Sequence, residues 1–383
     1  MRINSKWEVK KLGEICDIEL GKTPYRGNAS FWDKDKNTKN VWLSIADLLN
    51  AQNKIILDSK EYISNKGTNI SKIVKKGTLL LSFKLTLGRL AFAGKDLYTN
   101  EAIAALGIKC DKILKEYLYY YFSVFDWDSL VTGDVKVKGK TLNKKKLNEI
   151  NVCYPAISEQ EKTVARLDKF SENIKRLEDT ARKNLQNAKD LFSSVLNEML
   201  LTKRIRKYIS LENVCKKIVA GGDKPTSFSE ISTEKYNVPI YANAVKNDGL
   251  CGFTNKSIIV EEAITISARG TIGFVCAKYK PFYPIVRLIV AIPDKQKVVL
   301  EFLVYALKHI MLRGSGTSIP QLTVPEFKKN KILLPTLSEQ KKIVAKLDKL
   351  SAETKKLEIV YQKKIDGLAE LKKSVLKQTF NCG

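Results

Sequence analysis

The sequence predicts a chain built twice on one plan: a mixed α/β (α+β) unit followed by a long helix, with the two helices pairing as a coiled coil about an internal pseudo-two-fold repeat. Three observations predict it. Residues 154–200 and 334–380 align without a gap when 180 is added to each number. Both copies carry the frame Pro-x-x-Ser-Glu-Gln-x-Lys-x-Val-Ala-x-Leu-Asp-Lys-x-Ser, from Pro155 to Ser171 and from Pro335 to Ser351. Upstream of each copy the same order of strand, turn and helix signals recurs with looser identity.

The helical reading rests on spacing. Val164, Leu167, Phe170, Ile174, Leu177, Ala181, Leu185, Ala188, Phe192, Val195 and Met199 recur at steps of three and four. Val344, Leu347, Leu350, Thr354, Leu357, Tyr361, Ile365, Leu368, Leu371 and Val375 repeat the pattern. Pro155 and Pro335 stand just before the helices, where a missing N–H is harmless. Ser158 with Glu161 has the spacing of a capping box, and Lys341 takes the place of that Glu in the second copy. A single apolar seam flanked by charges cannot bury itself, so each helix needs a similar partner, and the other copy is the obvious one. About 45 helical residues make a rod of roughly 65–70 Å. The expected division is 1–154 and 205–334 for the two globular domains, with 155–204 and 335–383 for the helices.

A chain of 383 residues has room for two ordinary cores. Lys+Arg number 67 against 41 Asp+Glu, a formal charge of +26. The excess falls on both halves, with 27 basic and 17 acidic residues in 1–155 and 19 and 10 in 205–334. Two basic domains suit a polyanion gripped by both. The seven cysteines (Cys16, Cys110, Cys153, Cys215, Cys251, Cys276 and Cys382) form no ligand-spaced cluster and are expected to be reduced thiols. With no signal peptide, lipidation motif or membrane-length apolar run, a soluble cytoplasmic protein without a membrane partner is expected.

In order along the first half, residues 7–16 (WEVKKLGEIC) open the domain and a Gly-Lys-Thr-Pro turn at 21–24 closes that element. A polar loop with Tyr25, Arg26, Phe31 and Trp32 follows, then 41–49 (VWLSIADLL) as a strand running into a turn. Residues 75–93, rich in β-formers and broken by Gly77 and Gly88, predict two strands of a hairpin. A strand at 102–109, a helix at 111–125 and a basic, glycine-broken loop at 133–146 lead to the first long helix. In the second half, 208–215, Gly221–Pro225 and 238–245 echo the opening, the turn and the strand. Residues 263–277 align with the hairpin, pairing Ser82 with Ser267, Lys84 with Arg269, Thr86 with Thr271 and Gly88 with Gly273. A helix is expected at 294–310, and Leu322 and Phe327 match Leu142 and Leu147.

These residues carry a resemblance. The alternation of globular domain and long helix resembles the specificity subunit of type I restriction-modification systems. So do the Trp-x-x-x-x-Leu-Gly-Glu-Ile opening at Trp7, the Ser-x-Arg-Gly-Thr-Ile-Gly turn at 267–273 and the Pro-x-x-Ser-Glu-Gln start of each helix. The resemblance covers essentially the whole chain, and the doubled helix start is its most specific part. It implies a non-catalytic subunit with two target recognition domains, each reading half of a split double-stranded DNA sequence. It further implies antiparallel helices that act as a ruler and dock two methyltransferase and two restriction (translocase/nuclease) subunits. S-adenosylmethionine, ATP and Mg are then implied for those partners, with no cofactor or metal in this chain. The first-half turn departs from the pattern, with Lys84 in place of the Arg.

The residues also speak against catalysis. The one histidine, His309, leaves no Ser-His-Asp or His-based metal arrangement, and its helical setting beside Ala306 and Leu307 suits packing. No Gly-x-x-x-x-Gly-Lys-Ser/Thr loop and no Asp/Asn-Pro-Pro-aromatic segment occurs. One alternative is a Mg-dependent nuclease site from Asp294, Glu326 and Lys328, although Asp294 and its counterpart Asp111 also suit capping. Another is a coiled-coil scaffold that ignores DNA. The expected DNA contacts join a basic side chain with an aromatic or an amide. They are Lys22, Tyr25, Arg26, Lys84, Arg89, Lys136, Lys138 and Lys140 in the first half, and Lys224, Tyr241, Asn243, Lys246, Arg269 and Arg313 in the second. Arg forks to guanine and Asn to adenine, while Lys mostly meets phosphate. Trp32 and Trp42 are expected in the core.

Overall fold

The computed structural model describes residues 7–131, 135–136, 139–201, 208–314 and 321–380. Four helices organise it: α1 (Lys115–Ser123), the long α2 (Ile157–Leu201), α3 (Leu300–Gly314) and the long α4 (Leu337–Thr379). The chain divides into two compact units. One joins the chain up to Asp179 with the chain from Ile365 on, and the other is Thr180–Lys364. Each unit holds one α/β domain and part of both long helices. The start of α2 therefore lies with the end of α4 in the first unit, and the end of α2 with the start of α4 in the second, which makes the pair antiparallel. Leu167 shares a core with Leu376 and Phe380, and Leu196 and Leu200 share one with Leu347.

The main sheet of the first domain runs in the order Cys16–Leu20, Ile103–Ile108, Leu79–Ser82, Leu90–Ala93, Ile55–Ile56. The second repeats it as Cys215–Ala220, Ile289–Pro293, Ala263–Ile266, Val275–Lys278. The central strands are largely buried and, Ser82 and Thr265 apart, carry no polar side chain, because both faces of the sheet are covered. Side chains alternate across a sheet, so Leu79, Leu81, Ala104 and Leu106 enter the core beneath α1, while Leu80, Ala91, Ile103 and Ala105 enter a second one. Ile264, Ile266, Ile289 and Ala291 divide from Ala263, Val290 and Ile292 in the same way. Each domain adds a smaller sheet holding one parallel pair, Val41–Leu43 with Leu97–Thr99 and Val238–Tyr241 with Tyr283–Pro284. Trp42 is fully buried and Trp32 half-buried, meeting edge to face at 5.1 Å.

Three details differ from the sequence reading. The capping box belongs to the second long helix, where Thr336 and Glu339 exchange hydrogen bonds (Thr336 N–H to Glu339 Oε2, 3.0 Å; Glu339 N–H to Thr336 Oγ1, 3.4 Å). Ala156 holds the equivalent place before α2, so Ser158 and Glu161 lie two residues too late to form the box. The domain helices also start later than expected. Asp294 accepts Gln296 N–H at 3.1 Å on its carboxylate and Lys297 and Val298 N–H on its carbonyl, making a turn that delays α3 to Leu300.

The third difference concerns the seam. Leu167, Ile174, Ala181 and Ala188 are buried seven residues apart, as are Leu347 and Thr354. The second row falls four residues after the first, at Ser171, Glu178, Leu185 and Phe192, all half-buried. Leu177 and Leu357 stand one position before that row, about 100° round the helix, and are exposed (40% and 41%) rather than in the seam. Of the other expected seam residues, Ile365 and Leu368 are buried and Val164, Leu185, Val195, Val344 and Val375 half-buried. Leu167→Ala is expected to cost about 2–5 kcal/mol by the cavity it leaves. Leu177→Ala is expected to cost less than about 0.5 kcal/mol. Urea unfolding midpoints separate the two, and equal losses would return Leu177 to the seam.

Candidate nucleic-acid interface

In the second domain the turn at 267–273 joins the buried strand Ala263–Ile266 to Val275–Lys278. Ser267 N–H donates to Phe274 O at 3.0 Å and Gly273 N–H to Ser267 O at 2.8 Å. Gly273 takes left-handed backbone (φ +84°), and a Cβ there would crowd Met311 Cβ at 3.0 Å, so the position needs glycine on both counts. The turn presents Arg269 at the surface, with Nε and Nη2 donating to Gln321 Oε1 at 3.2 and 2.8 Å. Among the described residues no carboxylate pairs with Arg269, so its charge is uncompensated.

Asn243 ties this turn to two other loops. Its Nδ2 donates to Val286 O at 2.6 Å and its Oδ1 accepts Ala268 N–H at 2.7 Å. Both polar atoms of the amide thus hydrogen-bond backbone and hold these loops together, each with one further hydrogen-bonding site left. Val286 and Arg287 are both left-handed (φ 54° and 58°) and donate their N–H groups to Gly222 O and Gly221 O at 2.8 and 3.0 Å. The glycine turn, the 267–273 turn and Arg287 therefore form one hydrogen-bonded loop cluster. Arg287, exposed at its edge, escaped sequence reasoning because a Val-Arg pair carries no turn signal. Lys224 is exposed with Nζ 3.3 Å from the Phe228 ring centroid, and Lys246 is exposed just before the left-handed pair Asn247 and Asp248. Tyr241 packs edge-on to Phe282 beneath the buried Lys278, whose Nζ lies 3.6 Å from its ring centroid.

The first domain builds the corresponding cluster with different charges. Gly88 closes the turn by donating to Ser82 O at 2.9 Å; with φ +79° and Trp127 Nε1 only 2.4 Å from a would-be Cβ, it too needs glycine. Leu85 stands where the second domain has Gly270 and shares its left-handed backbone (φ 64°), although it is 56% exposed. Such a conformation costs a side-chain-bearing residue roughly 1–2 kcal/mol. Lys84–Leu85 pairs with Gly139–Thr141, which pairs in turn with Val135–Lys136, so one three-stranded ribbon carries Lys84, Lys136 and Lys140. The side chains of Lys136, Lys140 and Arg313, and the whole of Lys138, lie outside the described residues.

The remaining expected contacts divide by what holds them. The carbonyl of Lys22 accepts from Trp42 Nε1 and Ser71 Oγ, which pins the backbone and leaves an exposed side chain. Tyr25 is 75% exposed. Arg26 is held by both oxygens of Glu61 at 2.6 and 3.1 Å over the Trp32 and Trp42 rings, so its charge is already neutralised. Arg89 Nη1 donates to Ile45 O at 3.0 Å and braces the fold. Glu101, hydrogen-bonded by Thr23, places a carboxylate where the second domain has Val286.

Nothing in the geometry favours the nuclease alternative. Lys297 beside Asp294 (3.1 Å) and the Gln296 N–H hold its carboxyl below the usual range. Glu326 is the capping partner of Thr323 and Lys328 pairs with Glu212 at 3.4 Å, so each residue serves a different local contact. Among the described residues no three potential metal ligands gather. Burial pushes the Cys16 and Cys215 thiols up to about 12, far from nucleophilic, and buried His309 lines a small apolar cavity with Leu200, Ala306 and Ile332. Among the described residues no helix is long and apolar enough to cross a membrane.

The family described as type I restriction modification DNA specificity domain matches residues 4–187 and 207–365, one match per half. The chain belongs to this family. A protein named as a type I specificity subunit in Mycoplasma pneumoniae is 34% identical over 209 residues, covering 55% of this chain and 57% of its own length. A second from the same organism is 33% identical over 220 residues, 55% of this chain and 65% of its own length. The chain thus spans less than two thirds of these two relatives. The MjaIX specificity subunit of Methanocaldococcus jannaschii is 24% identical over 375 residues, 87% of this chain and 84% of its own. Two solved structures share the fold at 16% identity. One chain comes from work on complex assembly and conformational transition of a type I R-M system (TM-score 0.79, 99% of each chain). The other is the HsdS subunit of Thermoanaerobacter tengcongensis (TM-score 0.58, 99% of this chain and 98% of that one).

Proposed function

We propose that this member of the specificity family is the non-catalytic DNA-recognition subunit of a type I restriction-modification complex. Each α/β domain reads one half of a bipartite duplex sequence, and the paired helices set the spacer and dock two methyltransferase and two restriction subunits. S-adenosylmethionine, ATP and Mg serve those partners. One observation carries the reading: the same turn, built on the same sheet, presents Lys84 in one domain and Arg269 in the other, and each domain is joined to its own copy of one long helix. Arg269, with two donors steadied by Gln321 and its outer edge open, has the geometry for a bidentate contact to guanine O6 and N7. Lys84 lacks that fork, so the two half-sites are expected to differ.

Co-expression with the cognate methyltransferase, followed by mapping of methylated adenines, tests this. The expected result is an asymmetric split motif, and Arg269→Ala relaxes one position of one half-site at a cost of about 1–3 kcal/mol. A continuous or palindromic motif would contradict it.

A further inference from the structure

The Ser-Glu-Gln triplet that starts each long helix is explained by its glutamine. Gln160 is fully buried and uses its whole amide: Oε1 accepts Leu114 N–H at 3.0 Å, and Nε2 donates to Lys112 O and Pro155 O, both at 2.8 Å. Gln340 repeats this, accepting Val299 N–H at 2.8 Å and donating to Lys297 O at 3.0 Å and Pro335 O at 2.9 Å. About two turns along the same face, Asp168 accepts the Tyr120 hydroxyl and Asp348 the Tyr305 hydroxyl, each at 2.6 Å. The long helix thus grips the segment before the domain helix at one point and the domain helix itself at another.

Two points matter where one would not. A domain joined to its helix only by the short connection at Pro155 or Pro335 could swing about it, and a single contact would still leave rotation. A buried amide strongly resists losing its partners, so the glutamine fixes position and the tyrosine–aspartate bond fixes angle. The first domain has a further hold. Lys54 pairs with Asp168 beneath its turn and lies 4.1 Å from the Tyr120 ring centroid, while Lys175 Nζ donates to Asn53 Oδ1 at 3.2 Å. Among the described residues no lysine pairs with Asp348.

We propose that Gln160 with Asp168, and Gln340 with Asp348, are positioning residues that fix the angle of each reading domain on its long helix and so sharpen the spacer length the protein accepts. This rests on the proposed function. It also implies an order: the second domain, lacking the Lys54 hold, depends more on its clamp than the first.

The test uses the full complex with the cognate methyltransferase and a set of duplexes with the mapped half-sites, the spacer varied one base pair at a time. Gln340→Met removes the amide at similar volume, and Tyr305→Phe removes one hydroxyl while keeping the ring. The wild type is expected to prefer one spacer sharply. Tyr305→Phe, which loses one hydrogen bond, should lose about five- to tenfold of that preference, and Gln340→Met, which loses three, at least as much, with the half-site sequences unchanged. Gln160→Met and Tyr120→Phe should do less. Methylation slowed equally at every spacer, with the preference intact in Tyr305→Phe, would reduce the clamp to ordinary stabilisation and overturn the inference alone. A wild type with no split motif would remove the proposed function and the inference together.

Discussion

Affinity for duplex DNA is expected to fall by about 10³–10⁵ between roughly 50 and 200 mM salt, the loss for six to ten phosphates contacted. The +26 charge lies on both domains. Many lysines form exposed ion pairs, as Lys75 does with Asp96 and Lys216 with Glu261, and such pairs contribute little and exchange readily with a stronger anion. Lys22, Lys224, Lys246 and Arg269 have no carboxylate partner among the described residues and remain available to phosphate or base. A logarithmic salt plot with slope about −0.9 per phosphate is the direct reading. A flat plot would favour a scaffold that ignores DNA.

The duplicated domain was legible because its signals are local: glycines at 88 and 273 demanded by backbone and packing, and the apolar run of residues 79–81. The alignment of the halves survives to single hydrogen bonds, with Leu142 N–H donating to Phe83 O and Leu322 N–H to Ala268 O, both at 3.0 Å. The orientation of single side chains was not legible. Leu177 and Leu357 match a three-and-four pattern as well as their neighbours do, and only the choice of the partner helix between the third and fourth position turns them outward.

The candidate interface shows the same limit more sharply. Basic residues near turns are easy to find, but what neutralises them lies far away in sequence. Glu61, thirty-five residues from Arg26, pairs with that arginine, whereas Gln321, fifty-two residues from Arg269, steadies the side chain without cancelling its charge. Asn243 has the right chemistry for adenine, and nothing in the sequence signals that its amide also hydrogen-bonds the backbone of Val286 and Ala268. The left-handed Arg287 is invisible until the Gly221–Gly222 turn folds against it.

The central claim is that the helix pair sets the distance between half-sites, and lengthening both helices tests it most directly. Seven residues inserted after Leu177 and after Leu357 keep the buried row at Leu167, Ile174, Ala181 and Ala188 in register, since that row repeats every seven. Each helix grows by about 10.5 Å. With base pairs rising about 3.4 Å, a pair lying along the duplex would call for roughly three more spacer pairs, and fewer if it lies obliquely. Those pairs also rotate the second half-site by roughly a hundred degrees, because a turn takes about 10–10.5 pairs. Mapping methylated adenines for the lengthened protein with its methyltransferase is expected to give both original half-sites at a longer spacing, or no methylation at all. Methylation of the original motif at its original spacing and undiminished rate would contradict the claim.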